Sequence, residues 1–244
     1  MLNIEHLTKT YPGGKLAVDD LSLQVAPGEI YGFIGHNGAG KTTTLRAVAG
    51  VMGFNGGTIT IDGHNIVKDS IAAKRCAAFL PDNPDLYEFL SGIKYLTFIA
   101  DIYSIPQQKR QPLIAKYADA FELTSALGSP INSYSHGMKQ KLALISAFIR
   151  EPKLLILDEP FVGLDPKAAF QMKEFMHQLC QSGGAVFFST HVLEVAEKLC
   201  HKIAIIKGGR LVEAGPTAAI VGNSSLEHVF LELEAEKQEE VAPQ

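Results

Sequence analysis

The sequence predicts an α/β fold, a mostly parallel sheet with helices on its faces, and three observations point to it. The runs KLLILD, GAVFFST and KIAIIK are short, apolar and separated by helical stretches, the pattern of buried parallel strands joined by crossover helices. Earlier in the chain, the apolar run Ile30 to Ile34 enters a glycine turn, and a helical sequence, GKTTTLRAVAGVM, follows at once. Between that helix and the later strands, residues about 84 to 133 place apolar residues at helical spacing in LYEFLSGIKYLTFIADIYSI and PLIAKYADAFEL, which predicts a helical insertion.

Each element follows in order. LSLQVAPGEIYGFIG alternates and then runs apolar, which gives two strands, the second buried. GTITIDGHNI is a short alternating strand and turn. After the insertion, SYSHGMKQKLALISAFI starts a helix with Ser135 where an N-cap belongs, and a serine there satisfies one orphan backbone N–H of the first turn. A helix start fronted by Ser and Gly is also an anion site, because several N–H groups converge at the positive end of the dipole. IIKGGRLVEAG is a hairpin turning at Gly208-Gly209. From Glu227 the tail EHVFLELEAEKQEEVAPQ is acidic, as expected of a solvated helix fraying into disorder.

Composition narrows the function classes. A chain of 244 residues with 46% hydrophobic content holds one substantial core and a small inserted subdomain. A net charge of -4 offers no global basic field for a phosphate backbone, so nucleic acid is not an expected partner. Cys76, Cys180 and Cys200 lie far apart without metal-ligand spacing, which suits a reducing compartment, the cytoplasm. The N-terminus lacks the basic start and apolar run of a signal peptide. The apolar stretch Leu142 to Ile149 is closed by Lys141 and Arg150, short of the roughly 20 residues a spanning helix needs.

Three clusters carry chemistry. GHNGAGKT, residues 35 to 42, has the spacing G-x-x-x-x-G-K-[ST] between a buried strand and a helix start. Gly35, Gly38 and Gly40 let the backbone curl so that the N–H groups of Gly35, His36, Asn37, Gly38, Ala39, Gly40 and the following Thr43 can face phosphate oxygens. Lys41 supplies a point charge to the β- and γ-phosphates, and Thr42 a hydroxyl to Mg²⁺. In LLILDEP, Asp158 ends a buried strand where open α/β sheets bind ligands, and is expected to hold Mg²⁺. Its neighbour Glu159 is expected to point elsewhere by strand alternation and to polarise an attacking water. FFSTH delivers His191 to the same end of the sheet, where an imidazole can donate a hydrogen bond to a γ-phosphate.

With these motifs in this order, and a Ser-x-Gly helix start shortly before the Asp-Glu pair, the chain resembles the ATP-binding subunit of ABC transporters over nearly its whole length. The resemblance implies a P-loop NTPase core with an N-terminal antiparallel β subdomain and an inserted α-helical subdomain. It implies an ATP-binding domain over residues 1–222, with the helical subdomain at about 84–150, and an acidic helix or tail over 223–244. YSHGM stands in the place of the family signature LSGGQ, with His136 and Met138 replacing a Gly and a Gln. On that resemblance Ser135 and Gly137 would reach the γ-phosphate held by another subunit's P-loop. Tyr11 in TKTYPGG resembles the aromatic that stacks on adenine, Asp165 in FVGLDP the aspartate of the D-loop, and Asp82 stands where the family usually has Gln near Mg²⁺.

The implied activity is ATP hydrolysis with Mg²⁺, with Glu159 and His191 catalytic. The implied partners are a second ATP-binding subunit, a second copy of this chain, and an integral membrane permease docking near residues 82–133. The place is the cytoplasmic face of a bacterial membrane. The YS-x-GM-x-Q form with GLDP and a short acidic C-terminal helix is similar to the exporter-associated branch, which includes drug, peptide and Ecs-type systems. Two other readings stand beside it, a soluble ABC-type ATPase and a nucleotide-dependent regulator not engaged in transport.

Overall fold

A computed structural model describes residues 1–239, with side chains to residue 233. In chain order its elements are β1 (Leu2–Thr10), β2 (Leu16–Val25), β3 (Ile30–Ile34), α1 (Lys41–Val48), β4 (Gly56–Ile61), β5 (His64–Asn65), α2 (Ser70–Cys76), β6 (Ala77–Leu80), α3 (Gly92–Ile102) and α4 (Gln107–Ala120). They continue with α5 (His136–Phe148), β7 (Leu154–Asp158), α6 (Pro166–Gln181), β8 (Ala185–Thr190), α7 (Leu193–Leu199), β9 (Lys202–Lys207), β10 (Arg210–Pro216), α8 (Thr217–Val221) and α9 (Leu226–Glu239).

The strands form two sheets. β3, β6, β7, β8 and β9 are parallel, and with β10 antiparallel at one edge they make a six-stranded sheet in the order β10-β9-β3-β8-β7-β6. The other sheet is four-stranded and antiparallel, in the order β2-β1-β4-β5. Every residue of β3, β7 and β8 is buried. Strand alternation explains why the sequence there is continuously apolar. Ile30, Ile34, Leu155, Leu157, Val186 and Phe188 enter the cluster shared with the helices α3 to α6. The intervening Tyr31, Phe33, Leu154, Ile156 and Phe187 enter the cluster shared with α1 and the antiparallel sheet. The parallel sheet is thus the middle layer, covered on both faces, and its C-terminal strand ends meet in a crevice.

One expectation changes, and one strand is found where the sequence reading placed none. LYEFLSGIKYL has helical spacing from Leu86, but the helix starts at Gly92. Residues before it are drawn out by a turn, Leu90 N–H to Tyr87 C=O, and by bonds to the segment before α5, Ile131 N–H to Leu90 C=O and Asn132 N–H to Glu88 C=O. Strand β1 carries no clean alternation in LNIEHLTKT, because His6 takes a left-handed φ of 53° and the pairing to β2 shifts register after Ile4. The GG hairpin falls where the sequence puts it, with Gly208 and Gly209 at φ 56° and 83° between β9 and β10. For the acidic tail, helix α9 runs to Glu239, and the part over residues 240–244 lies outside the described residues.

A candidate nucleotide-binding site

The loop 35–40 leaves β3 and enters α1, so its shape is set by a buried strand at one end and a helix start at the other. Gly40 caps α1 at φ 112°, and a Cβ there would stand 2.5 Å from the Ala17 carbonyl oxygen. A Cβ on Gly35 would meet the Ile206 carbonyl oxygen, also at 2.5 Å. Only glycine fits either place, which is the steric content of the motif.

Lys41 opens α1 and is 5% exposed. Its ammonium folds back into the loop, donating to the carbonyls of Gly35 at 2.5 Å and His36 at 3.3 Å. It also stands 3.5 Å from Glu159 Oε1. A buried lysine must find partners, and here it takes two loop carbonyls and an ion-pair contact with the Glu159 carboxylate.

Asp158 ends β7 fully buried. Its Oδ1 accepts a hydrogen bond from Ser189 Oγ at 2.6 Å, and Ser189 Oγ in turn accepts from the Glu159 N–H at 3.1 Å. The two acids diverge, but not by strand alternation. The strand stops at Asp158, and Glu159 turns into the left-handed region at φ 48°. That turn swings its carboxylate toward Lys41 and His191. Glu159 Oε2 accepts from His191 Nδ1 at 2.9 Å and from the His191 N–H at 3.3 Å.

A cavity of about 330 Å³ lies against Lys41 and Glu159, while Asp158, Ser189 and His191 stand outside its lining. Tyr11, Asp82 and Glu159 line it together with His36, Asn37, Gly38, Gly40, Lys41, Thr42 and Thr43 of the loop and α1. Tyr11 is tied to α1 by its hydroxyl, 3.1 Å from Thr43 Oγ1. Asp82 turns its carboxylate to its own loop, accepting from the Asn83 N–H at 2.8 Å. Ala39 is buried behind the loop. A larger depression of about 570 Å³ lies at the opposite end of the sheet, beside Lys153 and Gly184, which precede β7 and β8. It contains none of these groups, and the C-terminal strand ends are where open α/β sheets take ligands.

Ser135 and Gly137 do not line the 330 Å³ cavity. Ser135 caps α5, accepting from the Met138 N–H at 3.3 Å. The tip of α5 lies against the loop after Glu159, where a Cβ on Gly137 would stand 3.0 Å from the Gly163 carbonyl oxygen. Asp165 caps α6, accepting from the Ala168 N–H at 2.8 Å, and pairs with Lys141 of α5 at 2.6 Å. The Lys141 ammonium, then the Ala168 N–H, hold its carboxyl below the usual range.

The acids and hydroxyl fit a divalent cation. Asp158 Oδ2 is buried without a hydrogen-bond partner, and an uncompensated carboxylate oxygen in that position favours a cation. Among the described residues no group of three or more His, Cys, Asp or Glu could form an all-protein metal cage. Mg²⁺ needs none, since it binds through one or two carboxylates, water and substrate phosphates. Sequence reasoning missed Ser189, which joins the two acids. Its signal was present, a serine that breaks the apolar run AVFF and falls in register opposite Asp158.

A glycine loop between buried strand and helix, an inward lysine and an acid on a nearby parallel strand define a P-loop nucleoside triphosphatase. The model of the family described as "ABC transporter" matches residues 18–162, and the chain belongs to that family as an ATP-binding protein, an ABC ATPase. It is 36% identical to the uncharacterized ABC transporter ATP-binding protein YhcH of Bacillus subtilis, over 87% of this chain and 69% of that protein. It is 31% identical to the ABC-type transporter ATP-binding protein EcsA of the same organism, over 97% of each chain. Among solved structures, the ATP binding subunit of an ABC transporter superposes with a TM-score of 0.92 at 32% identity, covering 96% of this chain and 99% of that one.

Proposed function

We propose that this chain is the ATP-hydrolysing subunit of an ABC transporter that closes head to tail with a second copy around two ATP·Mg²⁺ and drives a separate membrane permease, an exporter. The observation that carries it is that Lys41 and Glu159 line one cavity at the strand ends, with His191 bonded to Glu159 from just outside that lining. Lys41 exchanges the loop carbonyls for the β- and γ-phosphates. Glu159, held by His191, accepts a proton from the water whose oxygen attacks the γ-phosphorus, and the bond from that phosphorus to the β-phosphate oxygen breaks to give ADP and phosphate. His191 donates to the γ-phosphate, and Tyr11 offers its ring to adenine. Thr42 and Asp158 would hold Mg²⁺, with Asp82 on the cavity wall; the ion would neutralise phosphate charge when bound.

Two further observations support a dimer acting on a permease. Ser135 and Gly137 lie off the cavity of their own chain, so in this reading a second subunit presents them to the γ-phosphate. Tyr87, Phe89, Ile93, Phe98 and Ile102 are exposed at and around α3, a surface suited to an apolar partner. No helix among the described residues is long and apolar enough to cross a membrane; in this reading the pathway belongs to the permease, and this chain sits at its cytoplasmic face.

The test is isolation of the tagged chain from membranes in gentle detergent, with and without ATP, in native and Glu159→Gln forms. A stoichiometric multi-span protein that copurifies supports the transporter. Recovery only with ribosomes, DNA or nothing favours the soluble ATPase or regulator.

A further inference from the structure

Helix α9 reaches the phosphate loop. Its first residue, Leu226, is fully buried, and its N–H donates to Glu197 Oε2 of α7 at 2.8 Å. One turn on, Phe230 is 8% exposed and packs edge-on against the His36 ring, with centroids 4.8 Å apart and planes at 63°. Further along, the Leu233 carbonyl accepts from Lys207 Nζ, at the end of β9, at 3.2 Å. The helix is therefore fixed on both sides of its contact with the loop.

His36 is the second residue of that loop, and its backbone does two jobs there. Its carbonyl accepts from the Ala39 N–H at 3.1 Å, which closes the turn, and from Lys41 Nζ at 3.3 Å. A cavity of about 200 Å³ lies between the loop and Gly208, while the next residue of that turn holds the far end of the loop through the Gly209 N–H, which donates to the Ala39 carbonyl at 2.8 Å. The His36 side chain stands exposed apart from its contacts, and Phe230 gives it an apolar wall. Rotation of the His36 peptide would break the turn and misdirect Lys41. An edge-to-face ring contact resists that rotation.

We infer that α9 positions the phosphate loop through the His36–Phe230 contact, which makes Phe230 a positioning residue for nucleotide binding by its own chain. The inference rests on the reading of residues 35–43 as the ATP phosphate site, and goes beyond it by tying that site to the C-terminal helix.

The experiment is calorimetric titration of the full chain with ATP and Mg²⁺, paired with thermal unfolding in the absence of nucleotide. Phe230→Leu keeps an apolar anchor for α9 and removes the ring, and should weaken ATP binding about threefold to tenfold. Phe230→Tyr keeps the ring and should bind ATP as the native chain does. His36→Ala, at an exposed position that does not endanger folding, should weaken binding to a similar degree, and the double variant should be no weaker than either single one.

Native ATP affinity in Phe230→Leu, with or without a lower Tm, would overturn the inference, as would full additivity in the double variant. If Phe230→Leu fails to fold, His36→Ala and Phe230→Tyr decide: native affinity in the first, or lost affinity in the second, counts against it. Lys41→Ala separates the two levels. Native ATP affinity in that variant sinks the phosphate-site reading itself, whereas weakened binding there and native binding in Phe230→Leu sinks only the role of α9.

Discussion

The floor of the nucleotide cavity and the outer face around α3 both carry side chains that leave the core, yet they are held in opposite ways. At the floor, Lys41 is 5% exposed and faces two carbonyl acceptors and the Glu159 carboxylate, and Glu159 is fixed by the side chain and the N–H of His191. At the outer face, Phe89 is 80% exposed and Tyr87 50% exposed, and the rings mostly touch one another, Tyr87 with Phe98 at 5.5 Å and with Phe89 at 6.1 Å. Geometry at the floor is imposed by backbone that has no alternative path. At the outer face the sequence leaves apolar area uncovered, which is inexpensive only when another surface covers it. In the proposed function, chemistry belongs to the first kind of region and recognition to the second.

The comparison breaks first at Glu159. Glu159→Gln keeps the shape and removes the proposed base, so ATP turnover should fall about 10²- to 10⁴-fold with nucleotide binding retained. Turnover and ATP affinity measured on one preparation check this. Support beneath the floor is tested by Leu157→Ala in β7, a fully buried position whose truncation should cost about 2–5 kcal/mol in urea unfolding.

Asp165→Ala removes the α6 cap and the Lys141 pair, and should cost about 1 kcal/mol at neutral pH. The folded carboxyl of Asp165 lies below its ordinary value of 3.8, so its contribution is present above that value and is lost as pH falls through the lower folded value. The gap in stability between native chain and variant should therefore narrow in acid, as unfolding curves at several pH values will report. The smallest effect is expected at the outer face. Phe89→Ala should shift stability by no more than about 0.5 kcal/mol. It should leave ATP binding untouched and reduce recovery of a membrane partner in the isolation experiment. A large loss of stability would mean that the ring is structural after all.

How much the sequence revealed follows the same division. β3 and β7 were legible because strands buried on both faces read as unbroken apolar runs, and the loop between β3 and α1 because its glycines answer to steric demands stated by spacing alone. β1 was not legible, since the bulge at His6 destroys the alternation that marks a half-buried strand. Leu86 to Ser91 kept helical spacing while the chain around them was drawn into bonds with residues 129–132, a tertiary choice no local pattern records. Within the site, the residue types were readable and their directions were not. Glu159 turns by a left-handed residue rather than by a pleat, and Ser189 meets Asp158 through strand register, which is decided 31 residues away in the chain.

The contact between Gly137 and Gly163 has a mechanical meaning. Two backbones that touch without side chains between them have no rotamer to absorb a displacement. The Gly163 side of the contact is equally tight, with room for a Cβ already taken by the His136 ring 2.9 Å away. The turn that holds Gly163 begins at Glu159 and is closed by the bond from the Val162 N–H to the Glu159 carbonyl at 3.2 Å. A push on the tip of α5 therefore reaches the turn that begins at Glu159 through backbone and the His136 ring, and play in this joint has to come from somewhere other than the glycines that form it.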